Sequence, residues 1–339
     1  MLWSAPRSRS TAFFRMMAQR GDFTVVHEPF SYLAEFGYAE VGGVRVFSAA
    51  ELLGALRSAA VVRPVFAKET TGKRYPEVLG DAGFLGPDAR HAFLIRHPRE
   101  TIASYHALSP SAPREKIGFE SLHEVFCSVA RLTGAGPLVI DAADLVRSPA
   151  AVVAAYCAWA GISYLPEALT WSPGGLPEWE LSQQWHRDVA ASSGLGSVAA
   201  GGSVDVDGDP VLSAYLDYHL PYYEALHARR LLLLSRRCYR AGPTTRNSWA
   251  TTSVSSSTVN PGSSSASRDW PECQKVSCPA RHSATDVYPS PSATACARSM
   301  SASRSTRTAT VSITVTGRPA ESITTCRSPG RGSGSPSCS

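Results

Sequence analysis

Between residues 241 and 339 the chain contains no leucine and no phenylalanine; serine, threonine, arginine and proline dominate instead. A segment so poor in apolar side chains cannot bury enough surface to offset the entropy of ordering its backbone. Residues 1–240 have the composition of one globular domain, and residues 241–339 read as a disordered tail. The tail resembles a chain read in a shifted frame after about Arg240 more than a selected linker. It also carries the basic excess, with ten basic against four acidic residues, so the chain's formal net charge of +5 leaves residues 1–240 close to neutral. The alkaline balance is therefore no sign of specific nucleic-acid binding by the domain.

Other absences narrow the class further. No apolar run is long enough to cross a bilayer, and Arg7 and Arg9 fall where a signal peptide needs its apolar core. A cytoplasmic protein without a membrane partner is expected. The eight cysteines lack zinc-ligand spacing; Cys127 and Cys157 sit among apolar residues and read as buried free thiols.

One short stretch organises the rest. Leu2-Trp3 is the end of an apolar strand, Pro6 to Ser10 is a turn, and the chain continues as a helix with apolar Phe13, Phe14, Met16 and Met17. Strand, small-residue turn and helix start point backbone N–H groups and a helix N-terminus at a single anion. Arg7 and Arg9 add fixed charge, and Ser8, Ser10 and Thr11 add hydroxyls. The turn has neither the glycines nor the lysine of G-x-x-x-x-G-K-[ST], so it is not a Walker A loop. The strand before it is short for a buried parallel strand, and the start of the chain reads as placed a few residues late.

Further strands are expected at Phe23–Val26, Pro64–Ala67, Ala92–Ile95 and Leu138–Ile140, with helices over 49–59, 99–108, 121–132, 149–159 and 211–234. This alternation predicts an α/β fold, a three-layer α/β/α sandwich on a mostly parallel central sheet. Strand C-termini then share an edge with the anion turn. That edge gathers Glu28 after the second strand, Lys68 after the third, and Arg96 after the fourth.

The segment Phe93-Leu-Ile-Arg-His-Pro-Arg-Glu-Thr-Ile-Ala-Ser-Tyr105 supplies a second signal. Arg96 leaves a strand tip and Ser104 lies about two turns into the next helix, a guanidinium and a hydroxyl suited to a terminal phosphate. The two segments together resemble the 5′-phosphosulfate loop and the 3′-phosphate motif of the sulfotransferase family, over residues 1 to about 235. That resemblance implies a P-loop NTPase-like fold and the co-substrate 3′-phosphoadenosine 5′-phosphosulfate (PAPS), with a small-molecule hydroxyl or amine as acceptor. It places Arg7, Ser8, Arg9, Ser10 and Thr11 on the phosphosulfate and Arg96 and Ser104 on the 3′-phosphate. With the cations built in, no metal is called for.

By the same resemblance Arg7 meets the charge developing on the leaving phosphate, and Glu28 takes the acceptor proton. His27 is the rival base, pointing away from Glu28 by strand alternation. A salt bridge from Glu28 to Arg7 or Arg9 is the plainer role for that carboxylate. Lys68 touches sulfate or acceptor, or is a solvated strand-end lysine. Residues 184–194 resemble the segment that closes over the nucleotide, while His186, Arg229 and Arg230 read as solvent-facing. Tyr32, Phe36, Tyr38, Phe47 and Tyr75 hint at an apolar or aromatic acceptor. Two other readings remain: an ATP-dependent P-loop kinase, opposed by the missing Gly-Lys-Ser/Thr, and a catalytically inactive nucleotide-binding relative.

Overall fold

The computed structural model describes residues 1–196 and 204–233. The region read as a tail, 241–339, lies outside the described residues, as does Cys238. Period-two alternation builds the central layer. Leu2, Leu94 and Ile140 face one side of the sheet, and Trp3, Phe93, Ile95 and Val139 face the other; all are buried. Continuous apolar strands of this kind suit a parallel sheet covered on both faces. The strands are β1 (Leu2–Ser4), β2 (Thr24–His27), β3 (Ala39–Val41), β4 (Val44–Val46), β5 (Val65–Thr70), β6 (Ala92–Ile95) and β7 (Leu138–Asp141). The main sheet has the order β2-β5-β1-β6-β7 and every pairing in it is parallel. This is the expected three-layer α/β/α sandwich on a parallel central sheet.

The helices are α1 (Ser10–Gln19), α2 (Pro29–Phe36), α3 (Ala49–Val62), α4 (Pro76–Gly80), α5 (Ala82–Leu85), α6 (Pro98–His106), α7 (Phe119–Thr133), α8 (Ala142–Arg147), α9 (Pro149–Ala160), α10 (Arg187–Ala190) and α11 (Pro210–His227). Phe13, Phe14, Met16 and Met17 of α1 and Val152, Val153 and Tyr156 of α9 fill the core under one face of the sheet. Leu52 and Leu56 of α3, Leu122 and Phe126 of α7 and Leu226 of α11 fill the other. Each such side chain contributes about 1.5–3 kcal/mol of burial.

Several local expectations are corrected. β5 runs on to Thr70, past the expected end at Ala67, because Lys68 and Glu69 find buried partners. Three elements were not foreseen between residues 29 and 48. α2 starts on Pro29, a residue preorganised for the first helical position. β3 and β4 form a hairpin through Gly42 and Gly43, both with positive φ, a turn the Gly-Gly pair encodes. The last helix ends at His227 rather than near Leu234, since Arg230 bridges to Val139 and the Leu231 amide donates to the Val139 carbonyl at 2.8 Å. Cys157 is a buried free thiol as read, whereas Cys127 is half-buried and disulfide-bonded.

The strand order also locates a crevice. The chain leaving β1 turns to one side, toward β2, while β6 lies on β1's other side. In open parallel sheets ligands bind outside the strand C-termini at such a divergence.

Candidate functional site

At that edge lies a cleft open to solvent, lined by the turn after β1 and by the ends of β2, β5 and β6. The turn after β1 forms its floor. Arg7 (φ 63°) and Arg9 (φ 66°) are both in the left-handed region, and so is Glu28 (φ 44°) after β2. Among the described residues these are the non-glycine residues with positive φ, and all three line the cleft. Such backbone costs about 1–3 kcal/mol per residue and persists where surrounding structure imposes it, commonly at ligand sites. Arg9 is also the N-cap of α1 and gives it no side-chain cap, so the helix N-terminus opens on the cleft.

Three arginines converge there. The Arg7 guanidinium donates to Ser104 Oγ (Nε, 3.0 Å) and to the Trp185 carbonyl (Nη1, 2.7 Å), with Asp188 3.6 Å from Nη2. Arg96 donates to the Arg7 carbonyl at 3.1 Å and to Glu100 at 2.8 Å, which ties the tip of β6 to the turn. Burial, and after it the neighbouring Arg96 charge, pushes Arg9 below its ordinary pKa; Arg7 is lowered by burial first, with Arg96 adding to the effect against the pull of Asp188. Guanidinium groups do not discharge in proteins, so this crowding of cations is an electrostatic cost that a bound polyanion relieves. Ser10 and Thr11 line the cleft with them, whereas Ser8 is fully buried beneath it and its hydroxyl has no hydrogen-bond partner among the described residues.

The other end of the cleft is built by β2 and β5. Lys68 is 1 % exposed and its ammonium is bonded to Glu28 Oε1, so it is no solvated strand-end lysine. Glu28's partner is thus Lys68, while Arg7's carboxylate partner is Asp188. Glu69, one residue on, explains how Glu28 is left available. Its buried carboxylate accepts from the Phe30 and Ser31 amides (2.7 and 3.2 Å) and from Ser31 Oγ (2.6 Å), so it takes the N-terminal donors of α2. Burial, and then the Glu28 charge, raises Glu69 to about 7.

His27 points into the core beside Phe14, Trp179 and His186 rather than into the cleft. Its Nδ1 lies 3.1 Å from the Tyr32 hydroxyl, and burial, Lys68 and His186 hold it well below the usual imidazole range. His186 corrects the expectation of a solvent-facing residue: it is 4 % exposed and hydrogen-bonds Thr11 Oγ1 (3.3 Å) and Ser182 Oγ (3.0 Å). Ser182 Oγ in turn is 2.5 Å from the Tyr32 hydroxyl. A chain of hydrogen bonds thus runs from the first turn of α1 to the end of β2, with His186 held neutral, its pKa lowered to about 3 by burial and then by Lys68 and Arg7. Trp185, His186, Asp188 and Val189 form a wall of the cleft within the segment expected to cover it. Arg15, not singled out in the sequence, secures that wall by donating to the Gly174 and Ser172 carbonyls at 3.0 and 3.1 Å. Arg229 is exposed and Arg230 half-buried, both away from the cleft.

Of the aromatic residues that hinted at the acceptor, Tyr32 alone lines the cleft. Phe36 and Phe47 are exposed, Tyr38 stacks under Arg45, and the Tyr75 hydroxyl bonds Ser31 in the core. Proximity in sequence to a strand end did not bring these rings to the site.

Comparison with known proteins bears on this geometry. A family model described as a sulfotransferase domain matches residues 1–230. Two Arabidopsis thaliana proteins, the branched-chain-amino-acid aminotransferase-like proteins 2 and 1, are 30% and 29% identical over 208 and 206 residues. Each match takes in 58% of this chain and 36% of the relative, so the chain spans about a third of their length. Among solved structures, the sulfotransferase domain of the Synechococcus PCC 7002 olefin synthase is similar at 15% identity and TM-score 0.32, over 63% of this chain and 92% of that one. The sulfotransferase domain from the curacin biosynthetic pathway is similar at 11% identity and TM-score 0.35, over 63% and 94%.

Proposed function

The chain belongs to the sulfotransferase domain family, and on that premise we propose that it moves a sulfuryl group from PAPS to a hydroxyl or amine of a small-molecule acceptor. The observation that carries this reading is the meeting of Arg7, Arg9 and Arg96 at the open N-terminus of α1, with Glu28 and Lys68 at the opposite end of one cleft. A cation cluster of that kind fits a phosphosulfate and a second phosphate on one nucleotide.

In this reading Arg7, Arg9, Ser10 and Thr11, with the backbone N–H of Ser8, hold the phosphosulfate oxygens. Arg96 and Ser104 take the 3′-phosphate. The sulfur–oxygen bond to the leaving phosphate breaks as a new one forms to the acceptor, and Arg7 compensates charge collecting on the leaving oxygen. Glu28 is the base. Its Oε1 is engaged by Lys68, and its Oε2, without a hydrogen-bond partner among the described residues, accepts the acceptor's proton. Lys68 orients that carboxylate and reaches toward the transferred group.

The test is a binding comparison followed by a transfer assay. Adenosine 3′,5′-bisphosphate without metal is expected to raise the melting temperature more than ATP with magnesium, and radiolabelled sulfate is expected to pass from PAPS to an acceptor. A larger shift with ATP and magnesium would instead favour a P-loop kinase; nucleotide binding with no transfer to any acceptor would favour an inactive relative.

A further inference from the structure

Lysine is scarce in this domain. Its lysines among the described residues are Lys68, Lys73 and Lys116, and all three line the cleft, whereas arginine supplies the fixed positive side chains elsewhere. Their situations differ. Lys68 is committed to Glu28. Lys73 lies 3.2 Å from Glu35, a half-exposed carboxylate on α2. Lys116 has no ion-pair partner among the described residues.

The backbone holds these two outer lysines at the rim of the cleft. Thr71 donates from its amide to the Ser4 carbonyl (2.9 Å) and from its hydroxyl to the Gly118 carbonyl (2.9 Å). A β-carbon at Gly72 would lie 3.1 Å from Pro6 and 3.2 Å from the Lys116 carbonyl, so the turn after β5 is pressed between the anion turn and residue 116. At Gly118 (φ +82°) a β-carbon would fall 2.5 Å from the Thr71 carbonyl oxygen, a contact that only glycine permits. Lys73 and Lys116 therefore flank a rigid junction beside β5, on the Glu28 side of the cleft. Burial lowers Lys116's pKa and the like charge of Lys73 adds to it, against the weaker pull of the Glu35 carboxylate.

Resting on the sulfotransferase reading, we infer that the acceptor is itself an anion, a hydroxyl-bearing carboxylate or phosphate whose charged group Lys116 and Lys73 hold while its hydroxyl reaches Glu28. An ammonium that has lost part of its hydration beside a second one gains from an anionic partner. Lysine suits this role better than arginine, since a rotating point charge accepts either anion without a planar fork. The donor's anions are met separately by the arginines.

The experiment uses the full chain, Lys116→Gln and Lys116→Arg. Binding is measured by calorimetry for adenosine 3′,5′-bisphosphate, for hydroxycarboxylates of four to eight carbons against their methyl esters, and for glycerol 3-phosphate against glycerol. The wild type is expected to bind at least one charged probe about ten-fold or more above its neutral partner. Lys116→Gln should erase that margin with nucleotide affinity unchanged, and Lys116→Arg should restore part of it. The carboxylate and phosphate arms tell which anion is recognised. Equal or absent binding of charged and neutral probes, a margin that survives Lys116→Gln, or a loss of nucleotide affinity in that variant each overturns the inference. Lys116-dependent binding of a charged probe without nucleotide binding would support the anion subsite and refute the donor assignment, so the two failures are distinguishable.

Discussion

Replacing Glu28 by Gln, alone and together with Lys68→Met, separates a catalytic carboxylate from a structural one. Lys68 is 1 % exposed and Glu28 15 %, so the pair is sequestered on the lysine side and wetted on the glutamate side. Glu28→Gln leaves a buried ammonium facing a neutral amide, at an expected cost of about 1–3 kcal/mol. This is below the figure for a wholly buried pair, because water in the cleft can approach. Lys68→Met leaves a carboxylate that the cleft can hydrate and should cost less, about 1 kcal/mol. The double variant removes both charges and should recover most of the stability, giving a coupling of about 1–2 kcal/mol in a double-mutant cycle of urea unfolding. Turnover should behave otherwise. Loss of a general base lowers kcat by roughly 10²–10⁴, and the double variant should be as slow as Glu28→Gln while nucleotide affinity stays near that of the wild type. Recovery of turnover together with stability in the double variant would refute the base assignment and leave Glu28 as the lysine's counter-ion. A fully active Glu28→Gln enzyme would refute it as well. His27 would then be the remaining candidate, although its burial argues against it.

Arg96→Ala should weaken binding of adenosine 3′,5′-bisphosphate by about 1.5–3 kcal/mol in calorimetry, with the Arg7 carbonyl losing its donor as well; unchanged affinity would remove Arg96 from the site. Asp188→Asn should tighten the same nucleotide by up to about 1 kcal/mol, since the exposed Asp188 carboxylate competes for Arg7 at 3.6 Å, and weaker binding would contradict that competition. Acid should destabilise the domain steeply. His91 and His186 are lowered to about 3 and His219 to about 4, by burial first in each case, so below pH 6.5 the unfolded chain takes up protons that the folded one refuses. Each such histidine contributes about 1.4 kcal/mol of lost stability per pH unit between 6.5 and its folded pKa. Glu69 opposes them: raised to about 7, it binds a proton in the folded state first, and its contribution falls as pH rises from about 4.5 to 7. His91→Gln, which can still accept from Trp3 and donate to the Phe84 carbonyl, should flatten the acid slope by one proton, and an unchanged slope in urea titrations at pH 5 and 6 would refute the assignment. Finally, a chain ending at Arg240 should keep its melting temperature and nucleotide affinity, and loss of folding would show that residues 241–339 belong to the domain.

Read from the sequence, the apolar runs at Phe93–Ile95 and Leu138–Ile140 and their alternation with helices were sufficient for the parallel sandwich, because burial on both faces writes itself into consecutive residues. The turn between β1 and α1 was legible for the same reason: Arg7 to Thr11 are neighbours in the chain, and a turn before a helix points its donors whatever surrounds it. The strand tips then placed Glu28, Lys68 and Arg96 on one edge. What the tertiary structure decided is which charge meets which. Arg7 finds Trp185 across 178 residues and Ser104 across 97, Lys68 finds Glu28 rather than solvent, and Glu69 releases Glu28 by capping α2 in its place. His186 passed for a surface residue because nothing local says that Thr11 and Ser182 will close on it. Pairings of this kind depend on the order of strands in the sheet and on the path of a distant segment over the cleft. Short-range sterics and hydrophobic periodicity carry no information on either, and so the residues that orient the site emerged only once the chain was folded.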